Sequence, residues 1–361
     1  MHSSDLDLLL PAIRPIQPFL EDDGISEIMI NPGNRVFIER NGAMQDVTSQ
    51  VEFARFDLSF AALTVARLIG ENIDETRPLL DARLPDGSRI AIAFPPVSVD
   101  GVVITIRKFR NRPFTLDELV QIGSVPSHVA DFLSNAVRNR RTVLLSGGTG
   151  SGKTTFLNAL VDHIDPSERL GVIEDTPELV LPHPNVFRFQ SRREQKNIEA
   201  ISIRDLVKAT LRHRPDRILI GEVRGPEAWD FLQALNTGHP GSLCTIHAES
   251  PRKALSRLAA LTLQAETEMP YRAIQTEIGE LISIIVQIGR NQTGQRHVIE
   301  VFEVEGFDPD RGRYEGKTVY TFERTEGSST NSRGMMVTTP PQLHSGGNGL
   351  AASKAVPVTK V

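Results

Sequence analysis

The chain has 361 residues, 39% of them hydrophobic, and 40 Lys and Arg against 45 Asp and Glu give a formal net charge of −5. That length accommodates two domains of ordinary size, each with its own core. The acidic balance excludes the global basic field that favours sequence-independent nucleic-acid binding, while a local basic face stays compatible with it. The lone cysteine, Cys244, rules out an intrachain disulfide and fits a reducing compartment.

The N-terminal stretch MHSSDLDLLLPAIRP lacks a basic leader, and its apolar run Leu8-Leu9-Leu10 stops at Pro11, so no export signal is expected. The longest apolar run, 281–288, is broken by Ser283 and Gln287 and falls far short of the ~20 residues that span a bilayer. Any work at a membrane is therefore expected to be peripheral.

Between 25 and 108 short strand patterns alternate with turn signals. Strands are expected at 27–30, 35–39, 79–84 and 102–107, with Asn31-Pro32-Gly33, Asn41-Gly42 and Pro85-Asp86-Gly87 as turns. One helix, at about 55–71, interrupts them, which describes an α+β domain with a mostly antiparallel sheet. Residues 111–126, NRPFTLDELVQIGSVP, carry a proline near each end and weak periodicity, and read as an interdomain linker with a short helical piece at 115–120.

After the linker the period changes. Val129, Phe132, Leu133 and Val137 lie at helical spacing with Ser127 as N-cap. Apolar runs at 142–145, 170–173, 217–220 and 242–246 follow, separated by helical patterns, so the second domain is α/β with a mainly parallel sheet covered on both faces. Beyond about 326 the chain turns rich in Ser, Thr, Gly and Pro, a composition that reads as a disordered tail. The expected division is 1–110, linker 111–126, 127–325 and tail 326–361, with no internal repeat.

The stretch SGGTGSGKTT, 146–155, satisfies the phosphate-loop pattern after an apolar strand and before a helix. Gly147, Gly148, Thr149, Gly150, Ser151 and Gly152 form the turn, where glycines let backbone N–H groups face phosphates that a Cβ would block. The helix N-terminus, with Lys153, Thr154 and Thr155, adds partial positive charge. Lys153 is expected to reach the β and γ phosphates of ATP, and the Thr154 hydroxyl to ligate Mg²⁺. The Lys and the Thr decide against a plain strand-to-helix turn, which needs neither.

Other positions must say what such a loop drives. The strand 217–220 ends in Gly221-Glu222, which places a carboxylate where ligands bind in a parallel sheet and suits activation of a water. Gly221 stands near the Asp that usually closes this strand, so Mg²⁺ must rest on Thr154, water and another carboxylate. Glu174 and Asp175 end a second strand, as orienters of water or as a turn cap. His239 and His247 flank 242–246 at a spacing of eight, poor for zinc; His247 suits a γ-phosphate sensor that changes hydrogen-bond partner. Arginines gather at Arg107 and Arg110 and at Arg212, Arg214, Arg217 and Arg224, either to hold a transferring phosphoryl group or as solvated edges.

GGTGSGKTT, VIEDTPEL, RHRPDRILIGEVRG and TGHPGSLCTIHA, in this order over 146–248, resemble the secretion ATPases of type II and type IV systems and their pilus-motor relatives. ITIRKF, FTLDELV and VQIGRNQTGQRHVIEVFEV look most like the TrbB-type conjugal-transfer ATPases, extending the resemblance over about 12–310. The four-cysteine zinc module that type II secretion ATPases often insert is absent from the sequence, in line with its single Cys. The resemblance implies a RecA-like P-loop ATPase domain preceded by the α+β domain, assembled as a homohexamer at the cytoplasmic face of the bacterial inner membrane beside the membrane components of a secretion channel. It implies that Lys153 and Thr154 bind nucleotide and Mg²⁺, that Glu222 is the catalytic base, that Glu174 belongs to an acidic box and His239 and His247 to a His box. Arg107 matches an N-terminal-domain arginine that approaches nucleotide phosphates, and Arg212 and Arg217 match a basic box. A pilus motor, a DNA-translocating motor and a regulatory nucleotide-binding module remain as alternative classes, and direct nucleic-acid binding stays open.

Overall fold

The computed structural model describes residues 14–322 except 41, 52–57, 110, 111, 193, 195–197, 292 and 293. The tail 326–361, Arg110 and the first residues of the helix expected at 55–71 lie outside the described residues.

The first domain runs through α1 (Gln17–Glu21), β1 (Ile25–Asn31), β2 (Arg35–Arg40), β3 (Ala43–Asp46), α2 (Leu58–Leu68), β4 (Leu79–Arg83), β5 (Arg89–Ala93) and β6 (Val103–Arg107). The sheet order is β3-β2-β1-β6-β5-β4, with every pairing antiparallel. Its strands alternate as a half-covered sheet requires: Ile28 and Ile30, Ile90 and Ile92, Ile104 and Ile106 point inward in pairs two residues apart. Ala61, Ala62, Val65 and Ala66 form the inner face of α2, and small side chains there let the helix sit close on the isoleucines. Two strands, β3 and β5, were not anticipated; each is only four or five residues long and alanine-bearing, which weakens the composition signal.

The linker is only partly a linker. α3 (Leu116–Gln121) is set by a capping box: Thr115 Oγ1 accepts from the Glu118 N–H at 3.2 Å, and Glu118 Oε2 accepts from the Thr115 N–H at 3.0 Å. Leu116, Leu119 and Val125 are buried in the core of the second domain. In α4 (Ser127–Arg138) the N-cap is Pro126, and Ser127 is the first helical residue, making no capping bond. The cap expected at Ser127 is thus displaced by one residue, because Pro126 holds the extended backbone that a cap position needs.

The second domain continues with β7 (Val143–Gly147), α5 (Lys153–Val161), β8 (Leu170–Glu174), β9 (Val186–Gln190), α6 (Ile203–Thr210), β10 (Arg217–Ile220), α7 (Glu227–Asn236), β11 (Leu243–Ile246), α8 (Pro251–Leu263), α9 (Tyr271–Leu281), β12 (Ile284–Arg290), β13 (Arg296–Asp308) and β14 (Arg313–Thr321). The order β14-β13-β12-β7-β11-β10-β8-β9 is parallel from β12 to β9, with β13 and β14 as an antiparallel flank. Every residue of β7, β8, β10 and β11 is buried. Helices α3 to α5 cover one face and α6 to α9 the other, which is why these strands read as unbroken apolar runs.

Candidate functional site

The strands β7, β8, β10 and β11 deliver their carboxyl ends to one crevice, and the phosphate loop crosses it. β7 stops at Gly147, and α5 begins at Lys153. Gly150 and Gly152 take φ of +65° and +98°, the left-handed region that favours glycine. A Cβ on Gly147 would stand 2.3 Å from the Ile288 carbonyl oxygen, so the strand β12 alongside also requires glycine there. The Ser151 hydroxyl is buried without a hydrogen-bond partner.

Lys153 is 7% exposed. Its ammonium donates to the carbonyls of Gly147 (3.0 Å) and Gly148 (2.9 Å) and lies 3.4 Å from His247 Nδ1. Burial pulls the ammonium's pKa down, with Glu222 opposing. Lysine has no acceptor, so Nδ1 of His247 must accept and Nε2 must carry the ring proton. Nε2 sits 3.1 Å from Glu222 Oε1, where that proton has a carboxylate to meet. Burial and the Lys153 charge both lower the His247 pKa, which keeps the ring neutral as this chain of bonds needs.

Glu222 follows β10. Burial raises its pKa, but the Arg224 guanidinium, His247 and Lys153 outweigh that and leave it below the ordinary value. Arg224 donates to both oxygens, Nε to Oε1 at 2.5 Å and Nη2 to Oε2 at 3.0 Å. The residue before it explains the missing aspartate: a Cβ on Gly221 would approach Glu174 Cγ to 3.0 Å. Glu174 occupies that room. It is 3% exposed, Oε1 accepts the N–H groups of Glu178 (2.8 Å) and Leu179 (2.9 Å), and Oε2 pairs with Arg188 at 2.9 Å. Burial is the larger influence and raises its pKa. Asp175 caps no helix; it accepts from the Ser191 hydroxyl at 2.6 Å.

A cavity of 330 Å³ opens here, lined by Thr154, Glu174, Asp175, Glu222 and Arg224 of the second domain and by Arg89 of the first. Arg89 lies on β5 directly across from Arg107 on β6. Arg89 is fixed by a two-pronged bond to Asp81, at 2.8 and 2.6 Å, and Arg107 lies 3.6 Å from Glu178. Two guanidinium groups thus face the crevice from the neighbouring domain. Sequence reading reached Arg107 and missed Arg89, whose signal was the alternation of RIAIA after the Pro85-Asp86-Gly87 turn.

Three expected residues are not brought here within the chain. His239 precedes β11 at the opposite end of the sheet, and its Nδ1 is 2.9 Å from the Ala234 carbonyl, closing α7. Arg217 opens β10, wholly buried, and donates to both oxygens of Glu168 (2.8 and 2.6 Å) and to the carbonyls of Val137 and Gly241. Within the chain it forms a buried structural ion pair at the end of the sheet away from the phosphate loop. Arg212 lies exposed in a 3-10 helix, Leu211–His213, before β10.

A sequence profile of the type II/IV secretion system proteins matches residues 12–307. The chain belongs to that family. It is 36% identical over 299 residues to the conjugal transfer protein TrbB of Rhizobium radiobacter, covering 80% of this chain and 86% of that one. It is 32% identical over 343 residues to the type IV secretion system protein VirB11 of Bartonella henselae, covering 85% and 94%. The fold is shared with the ATPase DotB of Legionella pneumophila, at a TM-score of 0.54 and 20% identity over 82% of this chain and 79% of that one. It is also shared with the pilus retraction motor PilT, at 0.53 and 19% over 78% and 77%. As a secretion-family ATPase the chain binds nucleotide. Among the described residues no helix is long and apolar enough to cross a membrane.

Proposed function

We propose that this protein is a hexameric ATPase that powers a type IV secretion or conjugal-transfer apparatus from the cytoplasmic face of the inner membrane. The observation that carries the reading is the chain Lys153–His247–Glu222, drawn across the mouth of a glycine-rich phosphate loop in a crevice that the first domain closes with Arg89 and Arg107.

ATP is the substrate. The loop N–H groups and Lys153 receive its phosphates, and Lys153 then trades its bonds to the Gly147 and Gly148 carbonyls for phosphate oxygens. Glu222, ionised, orients a water once Arg224 releases it. Arg89 and Arg107 stabilise the charge of the transferring phosphoryl group. His247, touching both Lys153 and Glu222, reports whether phosphate is present by exchanging the partner at Nδ1.

The site suits Mg²⁺. Thr154 opens onto the cavity, and among the described residues no group of three or more His, Cys, Asp or Glu could hold a metal by itself. A cation bound by one hydroxyl, nucleotide oxygens and water is the arrangement Mg²⁺ prefers. When bound it neutralises phosphate charge.

The test is phosphate release from ATP against protein concentration, without nucleic acid, for the wild type, Lys153→Ala and Glu222→Gln. Specific activity that climbs with concentration and disappears in both variants supports a ring whose sites are completed by assembly. Activity retained by Lys153→Ala refutes the reading.

A further inference from the structure

Beneath the phosphate loop two arginines and one glutamate form a bracket between the domains. Arg290 ends β12 and Arg296 begins β13, so both leave the same end of one hairpin. Both donate to one acceptor, the carbonyl of Gly150: Arg290 through Nε (3.1 Å) and Nη2 (2.9 Å), Arg296 through Nε (2.9 Å). Both also reach one carboxylate, that of Glu39 on β2 of the first domain. Arg290 Nη2 meets Oε2 at 3.1 Å, and Arg296 Nη2 meets Oε1 at 2.6 Å. Glu39 is 5% exposed, and Ser26 donates a further bond to Oε1 at 2.9 Å. Beside the bracket the two domains touch backbone to backbone: a Cβ on Gly42 would lie 2.5 Å from the Gly294 oxygen, and one on Gly294 would lie 2.4 Å from the Gly42 oxygen.

A peptide unit is planar and trans, so its carbonyl oxygen and the following N–H point in opposite directions. Drawing the Gly150 oxygen out toward two guanidinium groups aims the Ser151 N–H into the loop. Among the described residues its bond there is a long one, 3.4 Å to the Gly148 oxygen, which a phosphate oxygen can replace.

We propose that Glu39 is a positioning residue for the phosphate loop: acting through Arg290 and Arg296, it holds the Gly150–Ser151 peptide in its anion-binding orientation, so that nucleotide affinity depends on how the first domain sits on the second. The proposal rests on reading 147–154 as the nucleotide site. The bracket sets two positive charges against one negative, which makes the sign of the effect informative. Arginines acting as bare charges would bind phosphate more tightly once Glu39 is neutralised. Arginines acting by orientation bind it more weakly.

The experiment is calorimetric titration of the full chain with ADP, for the wild type, Glu39→Gln, Gly42→Ala and Lys153→Ala. In Glu39→Gln the Kd rises about tenfold, the scale of a lost charge-assisted hydrogen bond. Gly42→Ala leaves all three charged side chains in place, forces the domain contact apart, and raises the Kd in the same direction. An unchanged or tighter Kd in Glu39→Gln overturns the proposal. If that variant fails to fold, Gly42→Ala decides alone, and an unchanged Kd there overturns it equally. A wild type that binds ADP no better than Lys153→Ala refutes the nucleotide site itself, and the bracket's role with it.

Discussion

At His247 the ring is held between an ammonium 3.4 Å away and a carboxylate 3.1 Å away. Protonating it would set an imidazolium against Lys153 and remove the acceptor at Nδ1. Burial and Lys153 both lower its pKa from 6.5, so the folded protein binds this proton less readily than the unfolded chain does. The contribution of the neutral ring is therefore intact above pH 6.5 and is lost as pH falls through the lower, folded value. The acidic limb of the ATPase pH profile is expected below pH 6.5, and His247→Gln is expected to abolish that limb. A limb at or above 6.5 would contradict the neutral ring. Residues such as Lys153, Glu222 and His247 were legible in the sequence because each sits inside a short motif whose spacing carries its chemistry. Glu39, Arg290 and Arg296 were not, because their meeting depends on contacts between domains more than two hundred residues apart. His239 and Arg217 lie in equally clear motifs, yet within one chain the fold uses them as a helix closure and a buried ion pair.

At the scale of the elements, burial on both faces made β7, β8, β10 and β11 readable as apolar runs. The edge strands β9 and β14 escaped notice because no residue of β9 and only two of β14 are buried, which leaves no apolar run. Strand β10 carries the departure that the sequence posed and could not explain. Gly221, the residue after it, keeps clear of Glu174 Cγ, while Thr245 on β11 donates to the Gly221 carbonyl at 2.7 Å. Restoring an acid there, Gly221→Asp, would crowd a second carboxylate against Glu174, whose burial already disfavours its charge. We expect a loss of about 2 kcal/mol in urea unfolding, from overpacking and like-charge repulsion together. A variant as stable as the wild type would show that Glu174 does not fill that space.

Across the whole molecule the succession of an antiparallel and a mostly parallel sheet was visible as a change of period near residue 127, from alternation to helical spacing. The linker's extent was not: the helical piece expected at 115–120 forms as α3, but its two buried leucines, Leu116 and Leu119, pack into the core of the second domain, a long-range contact that no local pattern carries. A buried ion-pair cluster lies at the end of the parallel sheet away from the phosphate loop. Arg217 there joins α4, β10 and the turn before β11 through Glu168, Val137 and Gly241, and Arg140 adds a second cation to Glu168 at 3.0 Å. Arg217→Met removes one partner and leaves the others buried, for an expected loss of about 3 kcal/mol by thermal or urea unfolding. An unchanged midpoint would show that Arg140 alone satisfies Glu168.

Since α3 is welded to the second domain and Phe109 donates its N–H to Ser88 of the first at 3.1 Å, at most the five residues 110–114 are left to join the two bodies, and Phe114 itself packs against the second core. Fully extended, five residues reach roughly 17 Å. That reach bounds how far the two bodies can part. In the motor proposed above, a separation at the crevice is expected to pass to the first domain as rotation, with the length of this strap as the upper limit on the stroke.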